Sequence, residues 1–547
     1  MRERAEDAGL VVQGYSGTTG ILLAFDVATP GRKGLLGFAL ERREGKGKNE
    51  WLFGMLPFAG QEHRAGERIP TSQALIQKFR WSDYRVRPGR RYTYTVHPVY
   101  GKPGKLDVQK GVAVTLTTAG ADKGAHRVLF NRAAAASQAF SLKFPEVEAQ
   151  LKKAKDKSAF EMPAEALDWL GRGVPEQIVG FLAGAKDKGW ALDVAIYEYE
   201  LPLIVAAVDA AHKRGVDVRV IYHAKKGDEQ THENEESLKK IPKARKRARV
   251  TNKICHHKFI VRSRIKNGRK TPEAVLCGST NFTHNGAYRQ ANVVHVTTEG
   301  EVARSYQTLF DKLWETAGEP SATRAYITEH NAIDPAAEVF AGFSPRTGGG
   351  DLQAFVELIE GAKRDVLFCT AFDLFDGIEH ALLGEAHDPI LRFGVQNKRS
   401  QITGFHADRT ARFAATAMLN TGLEGWLKES TAGQRGNILI HTKLVVVDFT
   451  SDSPIVISGS HNLSNSASSG NDENFLIVKG NTDVADCYGC ELMRIYDHYR
   501  FRHFLAEKKR SGKVGPPPSL TPDDSWTDRY FRKGTLSMLD RLRFAGR

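Results

Sequence analysis

The chain has 547 residues, a formal net charge of +14 and a pI near 9.4, and 41% of its residues are hydrophobic. This length predicts three or four domains, and the composition is that of a folded globular protein. The sequence contains no apolar run near the roughly 18 residues that a membrane span needs, and residues 1–7 are polar. The five cysteines lie mostly in apolar segments, which favours reduced thiols. We therefore expect a cytoplasmic protein.

Residues 1–120 predict an all-β sandwich domain. Short strand-like runs at 21–27, 35–42, 51–56 and 113–118 are separated by Gly, Pro and charged turns. The segment 86–101, with Tyr92 and Tyr94 after a Pro-Gly turn, resembles the late strands of fibronectin type III domains. We expect this domain to position the rest of the chain or to bind a protein partner. Residues 121–160 predict a helical connector.

The next two segments, 161–320 and 321–507, predict an internal duplication. In the first, a helix precedes a strand at 192–197, and a second helix (201–214) leads to another strand at 216–222. This is a β-α-β unit, for which a right-handed crossover is expected. Residues 355–372 repeat the helix-then-strand pattern. The tail, 508–547, regains apolar and aromatic residues, and we expect it to pack on the second segment.

Each of the two segments carries one copy of the same polar pattern. The copies are His256-His257-Lys258 with Gly278-Ser279-Thr280-Asn281, and His441-Thr442-Lys443 with Gly459-Ser460-His461-Asn462. Each His-x-Lys opens an apolar run that predicts a buried strand, and side chains at i and i+2 of a strand share a face. An imidazole, an ammonium and an amide then form a phosphate-sized set of donors.

Two copies suit displacement at phosphorus, because one histidine can attack while the other donates a proton to the leaving oxygen. Two lysines and two asparagines can neutralise the phosphate oxygens, a role that metal ions fill in many other sites. We therefore expect neither a metal nor a cofactor. Since one chain carries both half-sites, a monomer is sufficient for a complete site.

These motifs resemble those of the phospholipase D superfamily over about residues 160–505. The resemblance implies an α/β fold with two pseudo-twofold-related repeats that form one bilobal catalytic unit after the β-sandwich. It also implies a covalent phosphohistidine intermediate, with His256 as nucleophile and His441 as general acid. The catalytic residues expected on this basis are His256, Lys258, Asn281, His441, Lys443, Asn462, Asp448 and Glu473, with Ser279 and Ser460 contacting substrate.

The two copies differ in their acidic residues. Asp448 lies five residues after Lys443, where the first copy has Ser263, and Glu473 lies eleven residues after Asn462, where the first copy has Asn292. A carboxylate at the second position would hold one imidazole tautomer and favour its charged form. We expect Glu473 to hold His441 in this way, and His256 to lack an acidic partner.

Charge indicates the substrate. Residues 239–270 contain 14 Lys and Arg and no Asp or Glu, and they surround His256. Such a field attracts polyanions. We expect Lys246, Arg247, Arg249 and Lys253 to bind substrate.

The sequence favours a metal-independent nuclease that acts on nucleic acid, with DNA preferred over RNA. The alternative is a phospholipase D or phosphatidyltransferase at a membrane surface, for which the apolar segments 51–58 and 372–375 are candidate contacts. A non-catalytic binding protein is the third class, and only Ser263 and Asn292 hint at it.

Overall fold

The structure is a computed structural model that describes residues 1–54, 56–61, 67–133, 138–154, 160–251, 253–385, 388–397, 411–415, 439–510 and 519–547. Its N-terminal part is all β. The strands are β1 (Arg2–Asp7), β2 (Leu10–Ser16), β3 (Ile21–Val27), β4 (Gly37–Glu44), β5 (Glu50–Trp51), β6 (Phe53–Gly54), β7 (Ile69–Pro70), β8 (Arg80–Asp83), β9 (Arg91–Lys102), β10 (Lys105–Val108) and β11 (Val112–Thr117).

Two antiparallel sheets of this part enclose a common core. One has the order β1-β2-β3-β8, and the other has β10-β9-β4-β5, with β11 also paired to β9. Alternate residues of β9 point inward, so Tyr92, Tyr94 and Val96 are buried while their neighbours are not. They pack in one cluster with Phe38 of the neighbouring strand β4 and with Phe25 of β3 in the facing sheet.

The predicted connector, 121–160, is only partly helical. It starts with strand β12 (His126–Phe130), which pairs antiparallel with a strand 163 or more residues later in the chain. Helices α1 (Gln138–Lys143) and α2 (Pro145–Lys153) follow. The expectation of a purely helical connector was wrong, because the apolar residues Val128, Leu129 and Phe130 are buried at a sheet edge.

Strand β12 belongs to the first of two seven-stranded sheets, which we call sheet I. Its strands are β12, β13 (Trp190–Ile196), β14 (Asp217–Ala224), β15 (Lys246–Val250), β16 (Lys258–Lys266), β17 (Arg269–Gly278) and β18 (Val293–Thr297). The helices of this part are α3 (Ala164–Gly171), α4 (Val174–Ala183), α5 (Pro202–Lys213), α6 (Glu229–Ser237), α7 (Gly300–Glu315) and α8 (Pro320–His330). The order is β12-β18-β17-β16-β13-β14-β15, and β13 and β14 are parallel, as a β-α-β unit requires.

Sheet II contains β19 (Val339–Ser344), β20 (Asp365–Thr370), β21 (Leu391–Gln396), β22 (Ala411–Ala415), β23 (Leu444–Val447), β24 (Ile455–Gly459) and β25 (Glu473–Lys479). Its helices are α9 (Gly350–Glu360), α10 (Asp376–Leu383), α11 (Asn465–Ser469) and α12 (Thr482–Arg510). The order β19-β25-β24-β23-β20-β21-β22 matches that of sheet I position by position. One large core cluster contains residues from both sheets, so the two sheets pack as a unit.

The C-terminal tail packs on sheet II, where it was predicted to lie, and also on the N-terminal part. It contains α13 (Asp528–Phe531) and α14 (Leu536–Phe544). Trp526 stacks on Phe79 of the N-terminal part at 5.3 Å between ring centroids, and its indole N–H donates to the Leu35 carbonyl. The tail also contacts sheet II, where Phe544 packs on Phe393 and the Arg364 guanidinium donates to the Arg547 carbonyl at 3.3 Å. The tail therefore joins the β-sandwich to sheet II, because its aromatic residues complete the core of the N-terminal part.

Over the ranges given above, no helix is both long enough and apolar enough to cross a bilayer. All five cysteines are buried and form no disulfide.

Candidate active site

The two predicted histidines lie together where sheets I and II meet. The ring centroids of His256 and His441 are 6.2 Å apart, and the residues are only 5% and 4% exposed. His256 lies two residues before β16 and His441 three residues before β23, and these two strands have equivalent positions in the two sheets. A phosphate group between these rings would be in reach of both.

Backbone hydrogen bonds hold each histidine against the opposite sheet. The His256 N–H donates to the Asp472 carbonyl at 2.8 Å, and the His441 N–H donates to the Ala291 carbonyl at 2.9 Å. In return, the Asp472 N–H donates to the Ile254 carbonyl at 2.9 Å. These bonds fix the segment that leads into His256 beside Glu473, the residue after Asp472. They also fix the segment that leads into His441 beside Asn292, the residue after Ala291.

That register corrects the expected partner of Glu473. Its Oε2 lies 2.7 Å from Nδ1 of His256, not beside His441. The carboxylate is fully buried, and it also accepts hydrogen bonds from the Ser460 hydroxyl at 2.7 Å and the Asn471 amide at 3.3 Å. Thus His256 has the acidic partner that the sequence analysis did not assign to it. The side chain comes from the opposite sheet, which no spacing within one repeat reveals.

Asn292 of sheet I holds the second histidine. Nδ1–H of His441 donates to Asn292 Oδ1 and to the Ser279 carbonyl, each at 3.1 Å. Asn292 Nδ2 donates to the Gly286 carbonyl at 3.0 Å, so the amide oxygen faces the imidazole. Because both partners of Nδ1 are acceptors, the neutral His441 ring carries its proton on Nδ1 and leaves Nε2 free for a phosphate or a leaving group.

The motif serines have an internal role in this arrangement. Ser279 Oγ–H donates to Asn292 at 2.8 Å, and Ser460 Oγ–H donates to Glu473 at 2.7 Å. Both serines are fully buried. They were expected to contact substrate, whereas the structure places them behind the residues that orient the two imidazoles.

The lysines of both motifs lie beside the histidines. Lys258 Nζ donates to the His256 carbonyl at 2.9 Å, and Lys443 Nζ donates to the His441 carbonyl at 2.7 Å. Lys258 Nζ lies 5.3 Å from the ring centroid of Tyr197, which was not predicted as part of the site. Phe372 has the equivalent position next to Lys443, at 5.6 Å. The aromatic faces stabilise two ammonium groups that are almost completely buried.

The two motif asparagines have different surroundings. Asn281 Nδ2 donates to the carboxylate of Glu198, a buried residue that the sequence analysis missed. The oxygens Oδ1 of Asn281 and Asn462 are buried without a hydrogen-bond partner among the described residues. Glu198 follows β13 in the run Tyr197-Glu198-Tyr199-Glu200, and its place at the carboxyl end of a central strand was the available signal.

Burial and mutual repulsion shift the pKa values of the site. Desolvation, with the charges of Lys258 and Lys443, lowers the pKa of His256 well below its ordinary value, and the same causes act on His441. Desolvation raises the pKa of Glu473 to about 8 and lowers that of Lys258 to about 8. In the absence of an anion, these shifts disfavour the charged forms of both histidines, of Lys258 and of Glu473. A bound phosphate would offset the excess positive charge of the site.

Asp448 does not reach this site. It follows β23 at the end away from His441, and its carboxylate accepts the backbone N–H groups of Lys363 and Arg364. It fixes the turn before β20. Asp448 was expected to be a catalytic residue, but β23 lies between it and the two imidazoles.

The predicted substrate-binding cations also have other contacts. Arg249 is completely buried and forms a bidentate ion pair with Asp472, with both N···O distances 2.9 Å. Lys246 Nζ donates to the Leu238 carbonyl at 2.7 Å, and Arg247 lies over the Trp314 ring. Only Lys253 of this set is an exposed cation close in sequence to His256 without such a contact in the described structure.

The remainder of the basic run does not surround the histidines as expected. Lys266 is the last residue of β16, and Arg269, the first residue of β17, pairs with it; both lie about eight residues along the sheet from Lys258, which corresponds to roughly 26 Å. Several others pair with acidic side chains, for example Arg245 with Asp217 and Lys240 with Asp209. Within the described ranges, no group of three or more His, Cys, Asp or Glu is arranged to hold a metal ion.

Comparison with protein families identifies one segment of the chain. Residues 180–314 match the family model described as "Cardiolipin synthase, PLD-like domain". The match contains the first His-x-Lys motif and ends before the second. No curated protein matches the chain.

Solved structures show distant similarity. Polyphosphate kinase from Porphyromonas gingivalis has 13% identity and a TM-score of 0.37, with 56% of this chain and 46% of that chain covered, so the chain spans about half of its length. Phosphatidylserine synthase from Haemophilus influenzae has 14% identity and a TM-score of 0.41, over 68% and 98% of the two chains. The phospholipase D family member Nuc from Salmonella typhimurium has 17% identity and a TM-score of 0.22, over 29% and 94%. At these scores the similarities do not distinguish between activities.

Proposed function

We propose, on the premise that residues 180–314 are a phospholipase D-like domain, that the whole chain is a metal-independent phosphodiesterase whose active site lies between sheets I and II. In this proposal the sheets are two related repeats of one catalytic unit. The observation that carries the proposal is the pair of facing imidazoles, each with Nδ1 held by an acceptor and each beside a buried lysine. Such a set can supply a nucleophile, an acid and charge neutralisation at one phosphate.

His256 is the proposed nucleophile. When its Nε2 bonds to phosphorus, the ring becomes cationic, and the Glu473 carboxylate at Nδ1 stabilises that charge. The leaving oxygen departs with its bonding electrons and takes a proton from His441. A carboxylate beside His441 would stabilise its protonated ring and hinder release of the proton. The neutral amide of Asn292 stabilises that ring less, so His441 gives up its proton more readily. Water then attacks the phosphohistidine with His441 as base, and His256 is regenerated.

Lys258 and Lys443 neutralise the non-bridging oxygens of the phosphate in this proposal. Both ammonium groups are 2% exposed or less, so their charges act at low effective dielectric. Tyr197 and Phe372 exclude water from the same space. Asn281 and Asn462 complete the donor set.

Nucleic acid is the proposed substrate. The support is the formal net charge of +14, together with the exposed Lys253 three residues before His256. A phospholipid substrate is the alternative. Its candidate contact segment at 51–58 has Leu52 and Phe58 in the core, while Phe53 and Leu56 are exposed.

A substrate comparison tests the proposal. The protein is incubated in EDTA with labelled single- and double-stranded DNA, RNA and phosphatidylcholine vesicles, beside the variants His256→Ala and His441→Ala. We expect cleavage of nucleic acid that ignores the chelator and is lost in both variants. Release of the lipid head group alone would establish the alternative, and cleavage that persists in both variants would refute the site itself.

The nucleophile is identified with a phosphodiester that has a nitrophenol leaving group. Such a group needs no proton to depart, so His441→Ala should form the covalent adduct and hydrolyse it slowly. His256→Ala should form none. Acid-labile phosphate on the His256→Ala protein, measured by intact mass at alkaline pH, would reverse the assignment.

A further inference from the structure

A cleft of about 610 Å³ lies outside the active site, between the N-terminal part and sheet I. The N-terminal part contributes the turn before β9, around Arg87 and Pro88, and sheet I contributes β12 and β16. Helix α4 closes one side with Phe181. The volume is in the range of small-molecule sites in proteins.

Positive charge is concentrated in this cleft. Arg127, Arg132, Arg172 and Arg262 line it, while Asp122 and Glu176 are exposed at its border. We call these four residues the arginine cluster. Arg172 forms an ion pair with Glu491, but Arg494 shares the same carboxylate.

The other three arginines lack acidic partners at contact distance among the described residues. Nε of Arg127 and Nε of Arg262 are buried without a hydrogen-bond acceptor. Arg132 lies 4.2 Å above the Trp169 ring, and Arg262 contacts the ring of Phe181 at 4.8 Å. A guanidinium that gives up water without gaining an anion costs free energy, so a cleft built this way is incomplete without a ligand.

Electrostatics around the cluster agree with this view. Desolvation lowers the pKa of Arg127, Arg132 and Arg262 from the ordinary value of an arginine. Charge repulsion lowers two of these pKa values further. The charge of Arg127 lowers the pKa of Arg262, and the charge of Arg172 lowers the pKa of Arg132. Anionic groups in the cleft would relieve both repulsions.

We propose that the arginine cluster binds a pyrophosphate-bearing small molecule of nucleotide size, with its phosphates against the guanidinium groups that line the cleft. Planar guanidinium groups suit such bidentate contacts with phosphate oxygens. The non-phosphate part lies on the apolar wall made by Leu129 and Phe181. The ligand joins the N-terminal part to sheet I.

This site is separate from the catalytic histidines. Arg262 lies four residues after Lys258 on β16, a distance along the strand of about 13 Å. Binding in the cleft therefore does not depend on the proposed phosphodiesterase activity, and the two can be tested independently.

Isothermal titration calorimetry of the full chain tests the proposal with ADP, AMP and inorganic pyrophosphate as probes. We expect ADP and pyrophosphate to bind, and AMP to bind more weakly because its single phosphate offers less charge and fewer oxygens to the four guanidinium groups. The double variant Arg127→Gln/Arg262→Gln should weaken ADP binding at least about tenfold, because two charged hydrogen-bond donors are lost. Its phosphodiesterase activity and its circular dichroism spectrum report whether it is folded, and Arg132→Gln is the second variant if it is not.

Two controls locate the binding site. Lys443→Met removes a cation of the catalytic site, and Arg304→Gln removes an exposed arginine of α7. Both should leave ADP affinity unchanged. Absence of ADP and pyrophosphate binding up to about 1 mM would overturn the proposal, and so would an affinity that falls in Lys443→Met but not in the cleft variants. Binding of an oligonucleotide without binding of ADP would overturn it as well.

Discussion

Replacement of Arg249 by Met separates a structural role of this residue from the substrate-binding role that the sequence suggested. In the structure Nε and Nη2 of Arg249 each donate to the Asp472 carboxylate at 2.9 Å, and Nη1 donates to the Thr316 carbonyl at 2.5 Å. Removing the arginine leaves the Asp472 carboxylate buried without its cation, which costs about 3–5 kcal/mol. A loss of this size lowers the thermal midpoint of the catalytic unit by on the order of 10 °C.

The effect on catalysis follows from the position of Asp472. Its backbone holds the segment that carries His256, and Glu473 is the next residue. Loosening this contact should lower kcat with little change in KM, because the geometry of the imidazole is altered rather than the affinity for substrate.

Differential scanning fluorimetry and steady-state kinetics measure the two effects. Arg247→Met, two residues earlier on the same strand and exposed, is the matched control, and we expect it to change stability by less than about 1 kcal/mol. The double variant Arg249→Met/Asp472→Leu should recover most of the lost stability, since the pair is replaced by apolar side chains. The reasoning is refuted if Arg249→Met melts like the wild type, raises KM and reduces the salt dependence of binding, which is the signature of a phosphate contact.

Three further predictions concern the site and the tail. Burial raises the pKa of Glu473 to about 8 and lowers that of Lys258 to about 8, so the carboxylate gains its charge and the ammonium loses its charge over the same pH range, and kcat/KM should peak near pH 8. Glu473→Gln should lower the rate about 10²–10⁴-fold and remove the acidic limb of the pH profile. An unchanged acidic limb would contradict the pairing of Glu473 with His256. Asn292→Asp should raise the pKa of His441 and move the optimum to higher pH for an alkyl leaving group but not for nitrophenol, which pH–rate profiles of both substrates would show. Removal of residues 519–547 should expose apolar surface of the N-terminal part, where Trp526 stacks on Phe79, and should increase its cleavage in limited proteolysis; an unchanged cleavage pattern would contradict the observed packing.

Residue patterns within one repeat were sufficient to predict the histidines and lysines as neighbours. The His-x-Lys spacing places imidazole and ammonium on one face of a strand, and this depends only on the two-residue period. The α/β character of the two segments followed from apolar strands that alternate with helices, and the mixed α/β structure agrees with it.

Contacts between sheets could not be predicted in the same way. The sequence shows that Glu473 and Asn292 occupy equivalent positions, but the assignment of each to the opposite histidine depends on the pairing of Cys255 with Asp472 and of Ala291 with Ile440. The same limitation explains Arg249, because a charged residue reads as exposed until its buried partner, 223 residues away, is known. The contact of the tail with the N-terminal part was missed for the converse reason, since aromatic residues indicate burial without indicating which cores they enter.

The crossed pairing of the histidines has a consequence for how such a centre can become asymmetric. A symmetric dimer made from single half-units would have to give both of its rings the same companion, since each subunit lends its own side chain to the other. One chain that supplies both sheets is free of this constraint, and here sheet II lends a carboxylate to His256 while sheet I lends an amide to His441. A single chain that contains both sheets can therefore give its two imidazoles different hydrogen-bond partners, and a substitution at one position is enough to make them differ.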